Sequence, residues 1–258
     1  MWFPILVVSY FLLMNSLNGT KSTDPVGTET LDHIGEAEAF NKWMYSAISP
    51  FLKGNILEIG SGIGNISAFL LNDKKNVTLS DLRPEYCNHL SKRFMDSKSL
   101  AGVRELDLGK EDFDNKYSEL LNKFDTVFAL NVIEHIENDS LAIRNCKKLL
   151  KDNGTILILV PSFPWLFCRF DEELGHFRRY NRKSVFKLLN DNGFKVNMVF
   201  YFNVVGVLGW FFFGKLLNNK QIKQGQMKLY NNFVSLFILI DKILFHKFGL
   251  SLIITASK

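Results

Sequence analysis

Between Asn55 and Pro161, short apolar runs rich in β-branched residues alternate with segments whose apolar positions recur every three or four residues. Asn55–Ile59, Val77–Asp81, Val103–Leu106, Phe124–Asn131 and Gly154–Pro161 have the length and composition of buried strands. Ile66–Leu71, Glu85–Met95 and Leu141–Leu150 carry helical spacing and fall between them. Strands separated by helices imply right-handed crossovers and a mostly parallel sheet covered on both faces. The pattern predicts an α/β, doubly wound domain.

Both flanks add elements. Ala39-Phe40, Trp43-Met44 and Ala47-Ile48 recur at helical spacing until Pro50 ends the pattern. Core packing explains that stripe; a helix covering a ligand pocket is the alternative. After Pro161 a polar, aromatic loop runs from Ser162 to Tyr180. A helix at Arg182–Asn190 follows, with Gly193 as its C-cap. Lys195–Tyr201 and Ser251–Ala256 read as the last strands. About fifty residues separate them, too many for a structureless loop. This stretch, 202–249, is expected to be a Phe-rich helical insert. It contains Val204–Leu217, with Trp210-Phe211-Phe212-Phe213, and Phe233–Phe248, whose Asp241, Lys242, His246 and Lys247 make it look amphipathic. The main domain is assigned to 25–258. Residues 1–24 form an apolar extension: Trp2 to Leu17 carries no charge and ends in a polar run, Asn18 to Asp24. It lacks a basic start and a small-x-small cleavage site, and is shorter than the roughly 20 residues of a membrane span. An anchor, a dispensable extension and, less favoured, an export signal remain open for it.

Composition changes this picture little. The net charge of +5 and a pI near 9.0 are spread along the chain, without the basic blocks of a nucleic-acid footprint. A basic surface with 24 phenylalanines suits an anionic membrane at least as well, so peripheral membrane contact through the extension and the insert is an expectation. Cys87, Cys146 and Cys168 are widely separated, with no Cys/His metal spacing, which reads as a reducing cytoplasmic setting.

The chemistry concentrates in Glu58-x-Gly60-x-Gly62-x-Gly64, which follows a strand and opens a helical pattern. Glycines let the backbone approach a ligand, and a helix start offers free N–H groups and positive dipole. A dinucleotide site would want its third glycine at position 65, where Asn65 stands. Glu58 would repel phosphate and attract an ammonium group. An amino-acid tail joined to adenosine meets that demand. Asp81 ends the next strand, where a carboxylate can chelate ribose hydroxyls. Asp107 follows the third strand, placed to read the adenine amine.

With these motifs the sequence resembles the class I S-adenosylmethionine-dependent methyltransferases, over about Thr30 to Lys258. Leu57 to Gly64 looks like their first motif and Phe124-Asp125-Thr126-Val127 through Asn131-Val132-Ile133-Glu134-His135-Ile136 like their fourth-strand motif. Leu149-Leu150-Lys151-Asp152-Asn153-Gly154-Thr155 is similar to the turn before their fifth strand. The resemblance implies S-adenosyl-L-methionine as cofactor, held by Glu58, Gly60, Ser61, Gly62, Gly64, Asp81, Leu82, Asp107, Leu108 and Asn131. It also implies a seven-stranded sheet with an antiparallel last strand.

Methyl transfer displaces a good leaving group, so positioning supplies much of the rate. A neutral acceptor still has to lose a proton, and Glu134 and His135 near the fourth strand's carboxyl end are candidates to take it. The alternative is that they merely open the next helix. Some relatives that methylate quinol precursors or RNA ends place a metal near a comparable pair. This chain has Asn131 where such sites tend to have another acid, so no metal is expected. In Asp171-Glu172-Glu173-Leu174-Gly175-His176-Phe177-Arg178-Arg179-Tyr180, His176 is a further candidate base. Arg178, Arg179 and Tyr180 are candidate acceptor-binding residues, the alternative being a salt-bridged loop capping the sheet. His-x-Arg-Arg-Tyr resembles a bacterial subgroup linked with glycan or glycolipid assembly. The expected acceptor is therefore a small or lipid-linked molecule, with a saccharide among the candidates. A catalytically idle methyltransferase-like module in a membrane or an assembly is the competing reading.

Overall fold

A computed structural model describes residues 37–217 and 230–258. The apolar extension 1–24 and the middle of the insert lie outside the described residues. Seven strands form one sheet: β1 Ile56–Ile59, β2 Val77–Asp81, β3 Leu100–Glu105, β4 Phe124–Leu130, β5 Leu150–Pro161, β6 Lys195–Phe202 and β7 Ser251–Ser257. Their order is β3-β2-β1-β4-β5-β7-β6. All pairings are parallel except those of β7, which runs antiparallel to β5 and to β6.

The period of two along the central strands divides the core into two layers. Ile56, Phe128, Leu130, Leu157 and Leu159 face one layer, while Leu57, Ile59, Val127, Ala129, Ile156 and Ile158 face the other. The first layer receives α1 (Glu38–Ile48), α2 (Asn65–Asn72) and α3 (Pro84–Arg93). The stripe of α1 is core: Phe40 and Trp43 pack on Phe202, and Phe40 packs edge-on against Tyr230. The second layer receives the short α4 (Phe113–Lys116), α5 (Asp139–Leu149) and, beyond the loop after β5, α7 (Arg182–Asp191). In α5, Ala142, Ile143, Cys146 and Leu149 make the buried stripe, and the Asn138 carboxamide accepts the Leu141 N–H at the start.

Element edges differ from the sequence pattern in two informative places. β3 begins at Leu100, ahead of Val103, because Leu100 already pairs with Val77 across a register shift. β5 begins at Leu150, which pairs with Phe124, before an irregular excursion through Asn153 (φ +62°) and Gly154. Turn residues there mark a break within a strand, not its beginning.

The insert begins with α8 (Val204–Gly209), which continues as a π-helical segment, Trp210–Leu216. A later helix, α9 (Val234–Ile243), returns beside it. The amphipathic reading of Phe233–Phe248 needs correction at Asp241. This carboxylate is buried and accepts the N–H groups of Asn203 (2.6 Å) and Val204 (2.7 Å). It caps α8 from the neighbouring helix, satisfying N–H groups that a helix start leaves open. Among the described residues no helix is long and apolar enough to cross a membrane.

Candidate active site

From β1 the chain winds outward through β2 and β3, then crosses back to β4. A crevice therefore opens where β1 and β4 lie side by side, the usual ligand position in such sheets. The loop after β1 lies in it. Gly60 has φ +71°, and a Cβ there would fall 2.6 Å from the Val132 Cγ2 atom. Gly64 (φ +87°) precedes α2, and a Cβ would strike the Phe94 ring at 2.5 Å. Both positions demand glycine for conformation and for space.

Glu58 is buried and accepts the Ser67 hydroxyl at 2.5 Å. Burial pushes its carboxyl up to about 7, against the Ser67 and Ser61 hydroxyls, with the Asp81 charge adding to the rise. Asp81 accepts the Gly62 N–H (2.9 Å) and the Arg83 N–H (3.0 Å), tying β2 to the glycine loop. Burial raises its pKa, and those N–H groups oppose the rise. Asp107 is less buried; it accepts the Gly109 N–H at 2.8 Å and has Lys110 at 3.8 Å. Leu82 is half-buried beside Asp81, and the carbonyl of buried Leu108 accepts the Asn145 amide at 2.9 Å. Asn131 sits at the end of β4 in the left-handed region (φ +51°), with its buried side-chain N–H group unpartnered.

These residues suit an adenosyl amino acid. Glu58 offers a buried carboxyl that an ammonium beside it would favour in ionised form, Asp81 and Asp107 stand at successive strand ends, and Asn131 holds an unused donor. Gly60 and Gly64 let the loop pack directly against Val132 and the Phe94 ring.

The other half of the crevice is built from distant parts of the chain. Just past Asn131 a 3-10 turn, Ile133–His135, buries Glu134 and His135. They do not open a helix, since α5 starts at Asp139. His176 arrives from the loop after β5, its ring centroid 4.6 Å from that of His135 and nearly perpendicular to it. The sequence-predicted trio is thus brought together.

Asp171, in the short α6 (Arg169–Glu173), orients it. Its Oδ1 atom accepts the His176 Nδ1–H at 2.9 Å and the Arg179 Nε–H at 2.6 Å. Its Oδ2 atom accepts the Trp210 indole N–H (3.1 Å) and the Cys168 N–H (3.1 Å). Burial pushes Asp171 up, but His176 and Arg179 outweigh it, and the carboxyl lies below its usual range. Burial holds His176 low despite Asp171, so the imidazole is neutral and presents Nε2 as a lone pair. Burial pushes the Glu134 carboxyl up to about 8, against its own N–H and Arg179. Burial, then His176, hold His135 well below the ordinary histidine value; the Gly175 backbone opposes this without hydrogen-bond geometry.

The acceptor-binding expectation for Arg179 and Tyr180 is corrected. Arg179 is buried, bonded to Asp171 and to the Ser162 carbonyl (2.9 Å), with its guanidinium 4.4 Å over the Trp210 ring. Tyr180 is buried and donates to Asp139 at 2.9 Å. Both hold the loop in place. Arg178 pairs with Asp139 at 2.8 Å yet remains partly exposed, and is the one of the three still able to meet a ligand. Sequence reasoning assigned no role to Asp171 or Trp210. The acid was one of three in its loop, and the indole lies in a different element.

Residues 57–156 match the family described as a methyltransferase domain. The chain is 32% identical over 124 residues to a highly reducing polyketide synthase of Pyrenophora dematioidea, a match covering 45% of this chain and 5% of that protein. It is 28% identical over 103 residues to a ubiquinone biosynthesis O-methyltransferase of Xanthomonas euvesicatoria pv. vesicatoria, covering 40% of this chain and 41% of the relative. The chain therefore spans less than half the length of either relative. Among solved structures, a SAM-dependent methyltransferase from Archaeoglobus fulgidus superposes with a TM-score of 0.54 at 16% identity, over 84% of this chain and 94% of that one. At that identity the likeness concerns the fold.

Proposed function

We propose that the chain carries a class I S-adenosylmethionine-dependent methyltransferase domain, its residues 57–156 matching a methyltransferase-domain family, and that it transfers the methyl group to a neutral oxygen or nitrogen of a small or lipid-linked acceptor. The observation that carries this reading is the crevice between β1 and β4. On one side stands the glycine loop with Glu58 and Asp81, and on the other the group Glu134, His135 and His176. The two sides touch where Val132 packs on Gly60.

In this reading the cofactor's ammonium meets Glu58, its ribose Asp81 and its adenine Asp107, with Ser61, Leu82, Leu108 and Asn131 lining the cavity. The cofactor supplies an electrophilic methyl on a sulfonium. The chain's work is to align the acceptor for in-line attack and to receive its proton. His176, its tautomer set by Asp171, is the best-formed base, with His135 and Glu134 beside it. An idle module would have no use for so many buried proton-accepting atoms.

The lipid-linked form of the acceptor, with a saccharide as its methylated part, rests on the exposed flank. Leu208, Phe211, Phe212, Leu216 and Leu217 are exposed on the α8 segment, as are Leu236, Leu239, Ile243 and Phe248 on and after α9. Lys215, Lys242 and Lys247 are exposed among them, a combination that suits an anionic membrane surface on the cytoplasmic side. Binding of S-adenosylhomocysteine by calorimetry tests the cofactor half. Mass spectrometry of glycolipids and small metabolites from a deletion strain, seeking one lost methyl, tests the acceptor half. Absence of S-adenosylhomocysteine binding overturns the proposal.

A further inference from the structure

The group opposite the cofactor loop leaves an unusual residue of unmet polarity. Both carboxyl oxygens of Glu134, both ring nitrogens of His135 and Nε2 of His176 are buried without a hydrogen-bond partner. Folded proteins pair nearly all such atoms, because a buried polar group without a partner has given up its hydration for nothing. Five gathered in one place point to something that satisfies them together. One donor atom from each residue lies within 4.8 Å of the others.

We propose that Glu134, His135 and His176 bind one divalent first-row transition-metal cation, of which Zn2+ is the best match. Two imidazoles and a carboxylate are a donor set that suits zinc and its neighbours and is unattractive to Mg2+, which prefers oxygen. Donors about 2.1 Å from one ion stand about 3.4 Å apart, so the side chains need close by only an ångström or so. The surroundings have the form a metal-bound imidazole requires. A ligating histidine commonly gives its other N–H to a carboxylate, which fixes the ring and aims the free nitrogen at the ion. His176 does this toward Asp171, which is itself fixed by Arg179, Trp210 and the Cys168 N–H. The absence of an acid at position 131 does not weigh against the site, because the third donor comes from His176.

Three protein donors leave a coordination position open, as in catalytic metal sites. An acceptor oxygen bound there would be held and made more acidic; with Nε2 of His176 then a ligand, the acceptor's proton would leave to solvent instead of to that imidazole. That consequence rests on the methyl-transfer reading; the binding of the cation does not.

The test is equilibrium dialysis of the purified, chelator-treated full chain against Zn2+ alone, with Mg2+ in parallel, followed by elemental analysis. The expected result is one equivalent of Zn2+ and no Mg2+ at micromolar concentration. Glu134→Gln and His176→Ala should each weaken Zn2+ binding by roughly 100-fold, the scale on which metal sites respond to lost support. Both variants should keep their circular dichroism and S-adenosylhomocysteine affinity, which shows that they fold. In the Co2+-loaded protein, visible absorption should report mixed nitrogen and oxygen ligation and vanish in His176→Ala. Wild-type protein that takes up no Zn2+, or variants that bind it as well as wild type, overturn the proposal. Zn2+ uptake without S-adenosylhomocysteine binding would leave this inference standing and sink the functional reading; S-adenosylhomocysteine binding without Zn2+ uptake would do the reverse.

Discussion

The two sides of the crevice are made in opposite ways. The cofactor side is nearly continuous in sequence: one loop after β1 and the ends of β2 and β3, each residue placed by the strand that precedes it. The acceptor side is assembled from the turn after β4, the loop after β5 and an indole from the insert, held by one buried carboxylate. On the first side, in the proposed reading, a residue lost would cost a ligand contact. On the second it costs the arrangement itself.

That contrast can be broken by substitution, starting where the effect is greatest. Asp171→Ala leaves Arg179 buried and unpaired, and should cost about 3–5 kcal/mol of stability by urea unfolding. A loss below 1 kcal/mol would show that the acceptor side does not hang on this acid. His176→Ala should cut turnover about 100-fold or more while leaving S-adenosylhomocysteine affinity unchanged. Equal losses in both would make the residue structural. On the cofactor side, Asp81→Asn should weaken S-adenosylhomocysteine about 10- to 100-fold, from the loss of charge-assisted hydrogen bonds. Its melting temperature should shift far less than that of Asp171→Ala.

Smaller still is the pH dependence of cofactor binding. In the free protein Glu58 has its carboxyl raised to about 7, so its native-state contribution is fullest below pH 4.5 and is lost as pH rises through 7. An ammonium beside it favours the ionised form, so binding releases a proton. Affinity should climb from pH 5.5 to about 7 and then level, by up to about tenfold per pH unit. Glu58→Gln should flatten the climb; an unchanged slope would remove Glu58 from ammonium recognition. Last, charge reversal of Lys242 and Lys247 should reduce co-sedimentation with anionic vesicles a few-fold, each lysine being worth about 1 kcal/mol at most near such a surface. Wild-type protein that ignores those vesicles would end the membrane reading.

The same contrast explains what could be read from the chain alone. Strand periodicity and the spacing of Glu58, Gly60, Gly62, Asp81 and Asp107 are local signals, and the sheet and the position of the glycine loop after β1 were legible through them. Glu134, His135 and His176 could be nominated by residue type. Their meeting could not be read, because 40 residues and a strand intervene. Arg179 and Tyr180 looked like ligand-facing groups since nothing local announces that Asp171 and Asp139 consume them. Asp241 misled for the same reason: its partners, the N–H groups of Asn203 and Val204, lie far upstream.

Trp210 bonds to Asp171 while riding on the segment whose Leu208, Phe211 and Phe212 look outward. Gly214, four residues on, lets that segment rest against Phe170 and Cys168, where a methyl would strike both. Whatever surface presses on those outward side chains therefore leans on the lever that sets the histidine's angle. Such an enzyme would carry a sense of touch: its chemistry would register what its flank is lying against before any acceptor enters.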